Sequence, residues 1–320
     1  MDQIDLRLLN DFQRDLPLVP RPFAAIATRL GIPEAETIAR LRGLLDAGRI
    51  TRIGATCRPN TMGASTLAAL RVPESRMEQV AALVGAEPGV NHSYQREGDW
   101  NLWFVATAPD ADALAASLAR IEQATALPVL SLPLVRAFNI DLGFPLTGPR
   151  QAMPMDRPAD LSVLRDTDRA LMQALSSGLP LLPRPFAALG RGISEAQAIA
   201  RIRALAEARI LTRVGVIVRH RALGWRENAM VVWRLPEGAI EAAGSALSQI
   251  PGVTLCYQRR IVPGLWDWPL FCMIHARSRP EAMAVLDEAR ALPELAGIPH
   301  RILFSTRCFR QRGAIIEAAA

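Results

Sequence analysis

The chain has 320 residues, half of them apolar, which is enough for two domains of ordinary size with separate cores. All 37 basic residues are arginine, and the net charge of +6 favours an anionic partner, either a nucleic acid or a polycarboxylate. The absence of lysine excludes Schiff-base and phosphate-loop chemistry, and no apolar run approaches the ~18 residues of a membrane span, so we expect a soluble, cytoplasmic protein without membrane association.

Four cysteines are scattered along the chain without any Cys-x-x-Cys pair, at positions 57, 256, 272 and 308. This spacing argues against zinc or iron–sulfur ligation, because such sites usually present paired cysteines. We therefore expect reduced core cysteines and no metal site.

The first 60 residues predict a helix-turn-helix with a wing. A helix over Asp5–Asp11 precedes a proline-rich turn, and a short helix begins near Phe23. A turn at Gly31 leads into a helix whose apolar residues have helical spacing. The segment Ile50–Cys57 is then predicted to form a wing hairpin.

The following segment, residues 61–146, alternates apolar and polar residues in the manner of strands. We predict strands near 65–72, 89–96, 100–107 and 129–136, with helices near 75–86 and 110–124. The order βαββαβ indicates a ferredoxin-like sheet with helices on one face.

The second half repeats this organisation after a predicted linker at 147–162. Arg-Pro-Phe-Ala-Ala at 21–25 returns at 184–188, and Thr-Arg-Ile-Gly at 51–54 returns as Thr-Arg-Val-Gly at 212–215. The second half, 163–320, is predicted to contain a helix-turn-helix at 163–220, with its wing at 210–218, and a ferredoxin-like domain at 221–320. Its strands are predicted near 228–235, 252–260, 268–276 and 300–308, and its helices near 238–249 and 279–291. The fold class is therefore α+β, a tandem duplication that forms an internal pseudo-dimer and leaves open a further homodimer.

The two copies differ where polar residues alternate on a strand. His92, Tyr94 and Arg96 share one face in the first half, whereas Leu255, Tyr257 and Arg259 take those places in the second. On the next strand His275 replaces Thr107. Different side chains at equivalent positions of the two copies suggest a site that requires both kinds of group. The alternative is that the histidines are structural and that the copies differ through sequence drift.

A second polar cluster occurs only in the second half. The segment Arg219-His220-Arg221 places a histidine between two arginines, and Asn228 follows it. Such a loop could bind a carboxylate beside a proton donor, or it could be a solvated basic loop. Five further residues, 261–265, lengthen the next hairpin ahead of Trp268, and we expect them to enlarge a loop at the site.

The segments 219–224, 228–233, 256–259 and 268–275 resemble the siroheme decarboxylase family, which is Lrp/AsnC-like. Its members are usually two different subunits, and this chain looks like both of them fused. The resemblance implies removal of two acetate carboxyl groups of siroheme to give didecarboxysiroheme, for the haem of nitrite reductase or an alternative haem route. It implies no separate cofactor, since the siroheme iron belongs to the substrate.

The resemblance also suggests roles for particular residues. His275 is the expected proton donor or principal catalytic group and His220 its partner, because histidine titrates near neutral pH. The substrate-binding candidates are Arg219, Arg221, Asn228, Tyr257, Arg259, Arg260, Trp268, His92, Tyr94, Arg96 and Arg136.

Two other functions fit the sequence. The first is an Lrp/AsnC-type DNA-binding regulator with a small-molecule effector, but the candidate recognition helix opens with Glu34 and Glu36, so we expect no DNA binding. The second is a haem carrier or sensor in which a histidine ligates iron.

Overall fold

The computed structural model describes residues 1–140, 143, 144, 146, 157–189 and 192–313. The helices are α1 (Gln3–Asp11), α2 (Pro22–Leu30), α3 (Glu34–Asp46), α4 (Met77–Ala86), α5 (Ala111–Thr125), α6 (Asp168–Ser177), α7 (Glu195–Glu207), α8 (Ile240–Ser248) and α9 (Arg279–Arg290). The strands are β1 (Ile50–Cys57), β2 (Ala64–Leu70), β3 (Val90–Arg96), β4 (Leu102–Ala108), β5 (Leu130–Ile140), β6 (Leu211–Val218), β7 (Glu227–Trp233), β8 (Val253–Arg259), β9 (Leu270–Ala276) and β10 (His300–Gln311). In these ranges no helix is both long and apolar enough to cross a membrane.

Both helix-turn-helix units begin and end their helices at residues suited to those places. Pro22 opens α2 at a position where the missing N–H is not needed, and Gly31 ends that helix in the left-handed conformation with φ of 72°. Ser194 and Gln197 form a reciprocal capping box at the start of α7. The buried Leu41 and its helical neighbours on α3 pack into the core that the two units share.

The second copy departs from the first at one helix. Where the first half has α2, the second has a 3-10 turn, Pro185–Leu189. The sequence explains the difference, because Gly-Arg-Gly at 190–192 replaces the helix-forming residues that extend α2, and glycine disfavours a helix interior.

The two ferredoxin-like sheets predicted from the sequence are confirmed. The first has the strand order β3-β4-β2-β5, and the second has the equivalent order β8-β9-β7-β10. Apolar side chains on α4 and α5 cover the outer face of the first sheet, and those of α8 and α9 cover the second. Residues 147–156 of the predicted linker lie outside the described residues. The domain boundaries stay predictions.

The two sheets join into one closed barrel of eight strands. β5 pairs with β8, and β10 pairs with β3, both antiparallel, so each junction links one half to the other. At one end the barrel interior is filled by Trp103, Trp266 and Phe271, with Trp103 and Trp266 in edge-to-face contact at 5.1 Å. The repeated halves therefore form an internal pseudo-dimer.

The prediction of a separate wing hairpin in each half was wrong. β1 and β6 are single strands that pair with each other across the halves, with Gly54 opposite Gly215. A Cβ at Gly54 would clash with the carbonyl oxygen of Leu175 in the other half, and one at Gly215 would clash with that of Gln13. The two glycines thus allow each strand to approach the helical unit of the opposite copy, and the resulting two-stranded ribbon covers one end of the barrel.

Candidate active site

A cavity of about 420 Å³ lies inside the barrel at the end covered by the β1–β6 ribbon. Its walls include strand ends from both halves, such as Ser65 and Thr107 from the first and Asn228 and His275 from the second. The volume is within the range typical of small-molecule sites.

The cavity is strongly basic. Six arginines line it, and none of its described lining residues is aspartate or glutamate; the arginines are Arg52, Arg58, Arg96, Arg213, Arg259 and Arg312. The Nε atoms of Arg52, Arg96 and Arg259 are buried without a hydrogen-bond partner among the described residues. Burial also lowers the pKa of Arg52 and Arg259, because desolvation disfavours the cationic form. Such a site suits an anionic ligand with several carboxylates.

Two arginine–tyrosine pairs repeat across the pseudo-two-fold axis. Arg96 donates through Nη1 to the Leu303 carbonyl oxygen at 3.1 Å, and Arg259 donates through Nη1 to the equivalent Leu132 oxygen at 2.7 Å. Their guanidinium groups lie 5.5 Å and 4.5 Å from the ring centres of Tyr94 and Tyr257. As strand alternation predicted, both tyrosines and both arginines face the cavity.

Two histidines stand together on the second-half side of the cavity. The rings of His220 and His275 lie 4.9 Å apart, centre to centre, at 80°. Phe144, which follows the last strand of the first half, stacks on His220 at 4.7 Å. Burial, followed by the charge of Arg221, lowers the pKa of His220 to about 4, and its Nε2 is buried without a hydrogen-bond partner in the described part of the chain. His220 is therefore neutral near pH 7 and has a ring nitrogen available to a ligand.

His275 is held at both ring nitrogens. Nδ1 lies 2.7 Å from Thr254 Oγ1, and Nε2 lies 2.7 Å from Asn228 Nδ2. Asn228 in turn accepts through Oδ1 from Arg96 Nη2 at 2.9 Å, a bond that reaches from the first half to the second.

The equivalent place on the first-half side has different residues. Thr107 stands where the second half has His275, and its Oγ1 is 3.4 Å from Asn91 Nδ2. His92 lies nearby with Nδ1 2.8 Å from Asn91 Oδ1, and burial, with the charge of Arg52, lowers the pKa of His92 to about 4. No group of three or more His, Cys, Asp or Glu side chains that could hold a metal occurs among the described residues.

Eight of the thirteen site residues predicted from the sequence line the cavity. They are His92, Tyr94, Arg96, His220, Asn228, Tyr257, Arg259 and His275. Arg221 is behind His220, where its charge depresses the pKa of that histidine.

The remaining candidates do not line the cavity. Arg136 lies on the outer face of the barrel and pairs with Glu241, because a bulge between Leu134 and Arg136 reverses the side of the strand on which the side chain emerges. Arg219 and Arg260 are exposed. These positions do not fit a carboxylate clamp inside the barrel.

Trp268 and the inserted loop 261–265 lie at the opposite end of the barrel from the ribbon. None of them lines the cavity, and Trp266 closes the barrel at that end by packing against Trp103 and Phe271. The expectation that the longer hairpin enlarges the site was wrong. The insertion follows β8 and precedes β9, and that connection is at the far end of both strands.

Several lining residues escaped the sequence analysis. Arg52 and Arg213 belong to the repeated Thr-Arg segments that identified the duplication, so their recurrence was the available signal. Arg58, Arg312 and Phe144 reach the cavity only because strand ends from both halves converge there, which no local pattern reveals.

Two protein-family models match the chain and define its class of protein. A model described as an AsnC-like ligand binding domain matches residues 62–139 and 222–310. A model described as a siroheme decarboxylase NirDL-like HTH domain matches residues 5–50 and 168–211. The chain is thus a duplicated helix-turn-helix protein with AsnC-like ligand-binding domains.

Similar proteins identify the family to which the chain belongs. The chain is 78% identical to the siroheme decarboxylase NirDL subunit of Paracoccus denitrificans, over all of this chain and 99% of the relative. It is 30% identical to a siroheme decarboxylase of Hydrogenobacter thermophilus, over 95% of this chain and 92% of the relative. The chain belongs to the siroheme decarboxylase family.

A solved structure of this family has the same fold. The siroheme decarboxylase NirDL in co-complex with an iron-uroporphyrin III analogue superposes with a TM-score of 0.68 at 26% identity, covering 98% of this chain and 94% of that one. The matches do not support the alternative of a DNA-binding regulator, and the pairing of β1 with β6 leaves neither strand as a separate wing.

Proposed function

We propose that the chain is a carboxy-lyase that removes two acetate carboxyl groups of siroheme to give didecarboxysiroheme, in a route of haem biosynthesis. The observation that carries the proposal is the pairing of two buried histidines inside a cavity lined by six arginines and by no described acidic residue. Membership of the siroheme decarboxylase family supports the choice of substrate.

Binding would use the basic walls. Siroheme is a polycarboxylate macrocycle, and arginine forks onto carboxylates through two parallel hydrogen bonds. Arg52 from the ribbon and Arg259 from β8 each have a buried Nε without a hydrogen-bond partner in the described part of the chain. Tyr94 and Tyr257 provide flat faces on opposite sides of the cavity, suited to a planar ring system.

The histidine pair would serve the chemical step. When the bond between an acetate methylene and its carboxylate breaks, carbon dioxide leaves and the electron pair remains on the arm, where the conjugated ring can accept it. One proton must then reach the methylene carbon to give a methyl group. His220, whose buried Nε2 has no hydrogen-bond partner among the described residues, would take up that proton once substrate carboxylates lie beside it, because a neighbouring anion favours the imidazolium. His275 lies in edge-to-face contact with His220.

The reaction balances without an oxidant, because an acetate arm and one proton give a methyl group and carbon dioxide. The proposal therefore includes no separate cofactor, and the iron is part of the substrate. The fit of the residues to an anionic macrocycle also suits a carrier that binds the pigment unchanged, so the test must follow the product.

The first experiment incubates the purified protein anaerobically with siroheme and follows the mass of the pigment. Loss of two carbon dioxide units is the expected result. Loss of one carbon dioxide unit would indicate that the chain by itself carries out only one of the two decarboxylations. Tight binding with unchanged mass would contradict the decarboxylase and favour a carrier or sensor.

A further inference from the structure

Arg96 makes a hydrogen-bond chain that ends on a histidine of the other half. Its Nη2 donates to Asn228 Oδ1 at 2.9 Å, while Nη1 donates to the Leu303 carbonyl oxygen at 3.1 Å. Arg96 is 6% exposed, and although burial lowers its pKa to about 10, it stays cationic at neutral pH. It therefore acts only as a donor toward Asn228.

The donor at Arg96 fixes the direction of every following bond. Because Asn228 Oδ1 accepts from Arg96, the amide must present its Nδ2 hydrogens to His275, whose Nε2 is 2.7 Å away. Nε2 must then be an acceptor, and the ring proton lies on Nδ1. Nδ1 can donate to Thr254 Oγ1 at 2.7 Å, since that hydroxyl donates onward to the Met273 carbonyl oxygen at 3.0 Å.

We propose that Arg96 is a positioning residue that, through Asn228, holds His275 neutral with its proton on Nδ1. Protonation of Nε2 would place two donors face to face unless the amide turned over, and the turned amide would face Arg96 with its own donors. The charge of Arg96 and the polarity of the chain therefore act in the same direction.

The first-half side of the cavity lacks this chain of hydrogen bonds, although the equivalent arginine, Arg259 of the second half, is present. Arg259 makes the matching bond to Leu132, but the place of Asn228 is taken by Ser65 and that of His275 by Thr107. Arg259 is therefore a matched comparison for Arg96. It lines the same cavity and donates to the equivalent backbone oxygen, but no amide or histidine follows it.

Among the described residues, few charged or titratable groups lie on this side of the cavity. They are Arg96 and His92 on β3, and His220 and Arg221 ahead of β7. None of them is an anion that would favour an imidazolium at His275. The effect of Arg96 on turnover rests on the proposed function, whereas its effect on the proton of His275 does not.

The direct test is ¹⁵N NMR of the protein labelled in its histidine side chains, with the signals of His275 identified by their loss in His275→Gln. The wild-type protein at pH 7 should give one neutral form with the proton on Nδ1. Arg96→Lys should give a mixture of tautomers, because one ammonium nitrogen cannot hold the Leu303 carbonyl oxygen and Asn228 Oδ1 as the two Nη atoms of arginine do. Arg259→Lys should leave the His275 signals in place.

A second variant keeps the test decisive if the arginine variants fold poorly. Asn228→Asp replaces the donor at Nε2 by a carboxylate, so His275 should acquire a proton on Nε2. Unchanged His275 signals in Asn228→Asp, or equal changes in Arg96→Lys and Arg259→Lys, would overturn the assignment.

Activity provides a separate measurement. With siroheme, Arg96→Lys should lower kcat by more than tenfold with a smaller change in KM, whereas Arg259→Lys should act mainly on KM. If no variant and no wild-type protein turns over siroheme, the proposed function fails, while the NMR result still decides the role of Arg96.

Discussion

The two sides of the cavity come from copies of one module, yet only one of them has a histidine pair. On the second-half side, His220 and His275 stand together, and Asn228 connects His275 to Arg96. On the first-half side the matching strand carries Thr107. The arginines and tyrosines are retained on both sides, which suggests that binding uses the symmetry of the barrel while the chemical step uses its loss.

Removal of either paired histidine should have the largest effect on the proposed reaction. We expect His220→Ala and His275→Ala to lower turnover by about 10²–10⁴-fold, the range typical of positioned acid–base groups. The measurement is the rate of didecarboxysiroheme formation. His300→Ala is a matched control, because that ring packs against Trp233 and does not line the cavity. Full turnover in folded protein after either cavity substitution would remove the histidines from the mechanism.

A smaller effect should separate arginines that line the cavity from those that lie outside it. Arg52→Ala should weaken siroheme binding by about tenfold or more, since a charge-assisted hydrogen bond contributes about 1.5–3 kcal/mol. Arg136→Ala should leave affinity unchanged, because Arg136 lies outside the barrel beside Glu241. The measurement is an absorbance titration with siroheme. Equal losses in both variants would mean that charge alone, not position, governs binding.

The smallest effect is on stability, and it concerns both sides. His92 and His220 have their pKa lowered to about 4 from an ordinary value of 6.5, chiefly by burial. The neutral form is favoured in the folded state, so this stability is fully present above pH 6.5 and is lost as the pH falls toward 4. Each group should change the free energy of unfolding by at most about 1.4 kcal/mol per pH unit.

Urea unfolding at several pH values measures this dependence. His92→Gln and His220→Gln should each flatten the decline between pH 6.5 and 4. A decline of the same slope in both variants would show that other groups cause the acid sensitivity.

Much of the fold was predictable because its signals are local. Strand alternation and helical spacing predicted the elements of both ferredoxin-like sheets, and the repeat predicted their duplication. The pairing of β1 with β6 was not predictable, because a strand sequence does not specify its partner. The bulge before Arg136 had a similar effect, since a single extra residue changes the face of a side chain without a clear sequence signal.

The candidate site was partly predictable for the same reason. Comparison of the copies indicated His275 and Asn228, whose places the other half fills with different residues. Phe144 and Arg312 could not be found in this way, because their approach to the cavity depends on how the halves close around each other.

The closed barrel and its ribbon also bear on stoichiometry. Among the described residues, three strand pairs join the halves, at β1–β6, β5–β8 and β10–β3. Because both copies belong to one polypeptide, they meet at a high local concentration and in a fixed one-to-one ratio. Each molecule therefore contains both the histidine pair and the first-half side of the cavity that faces it.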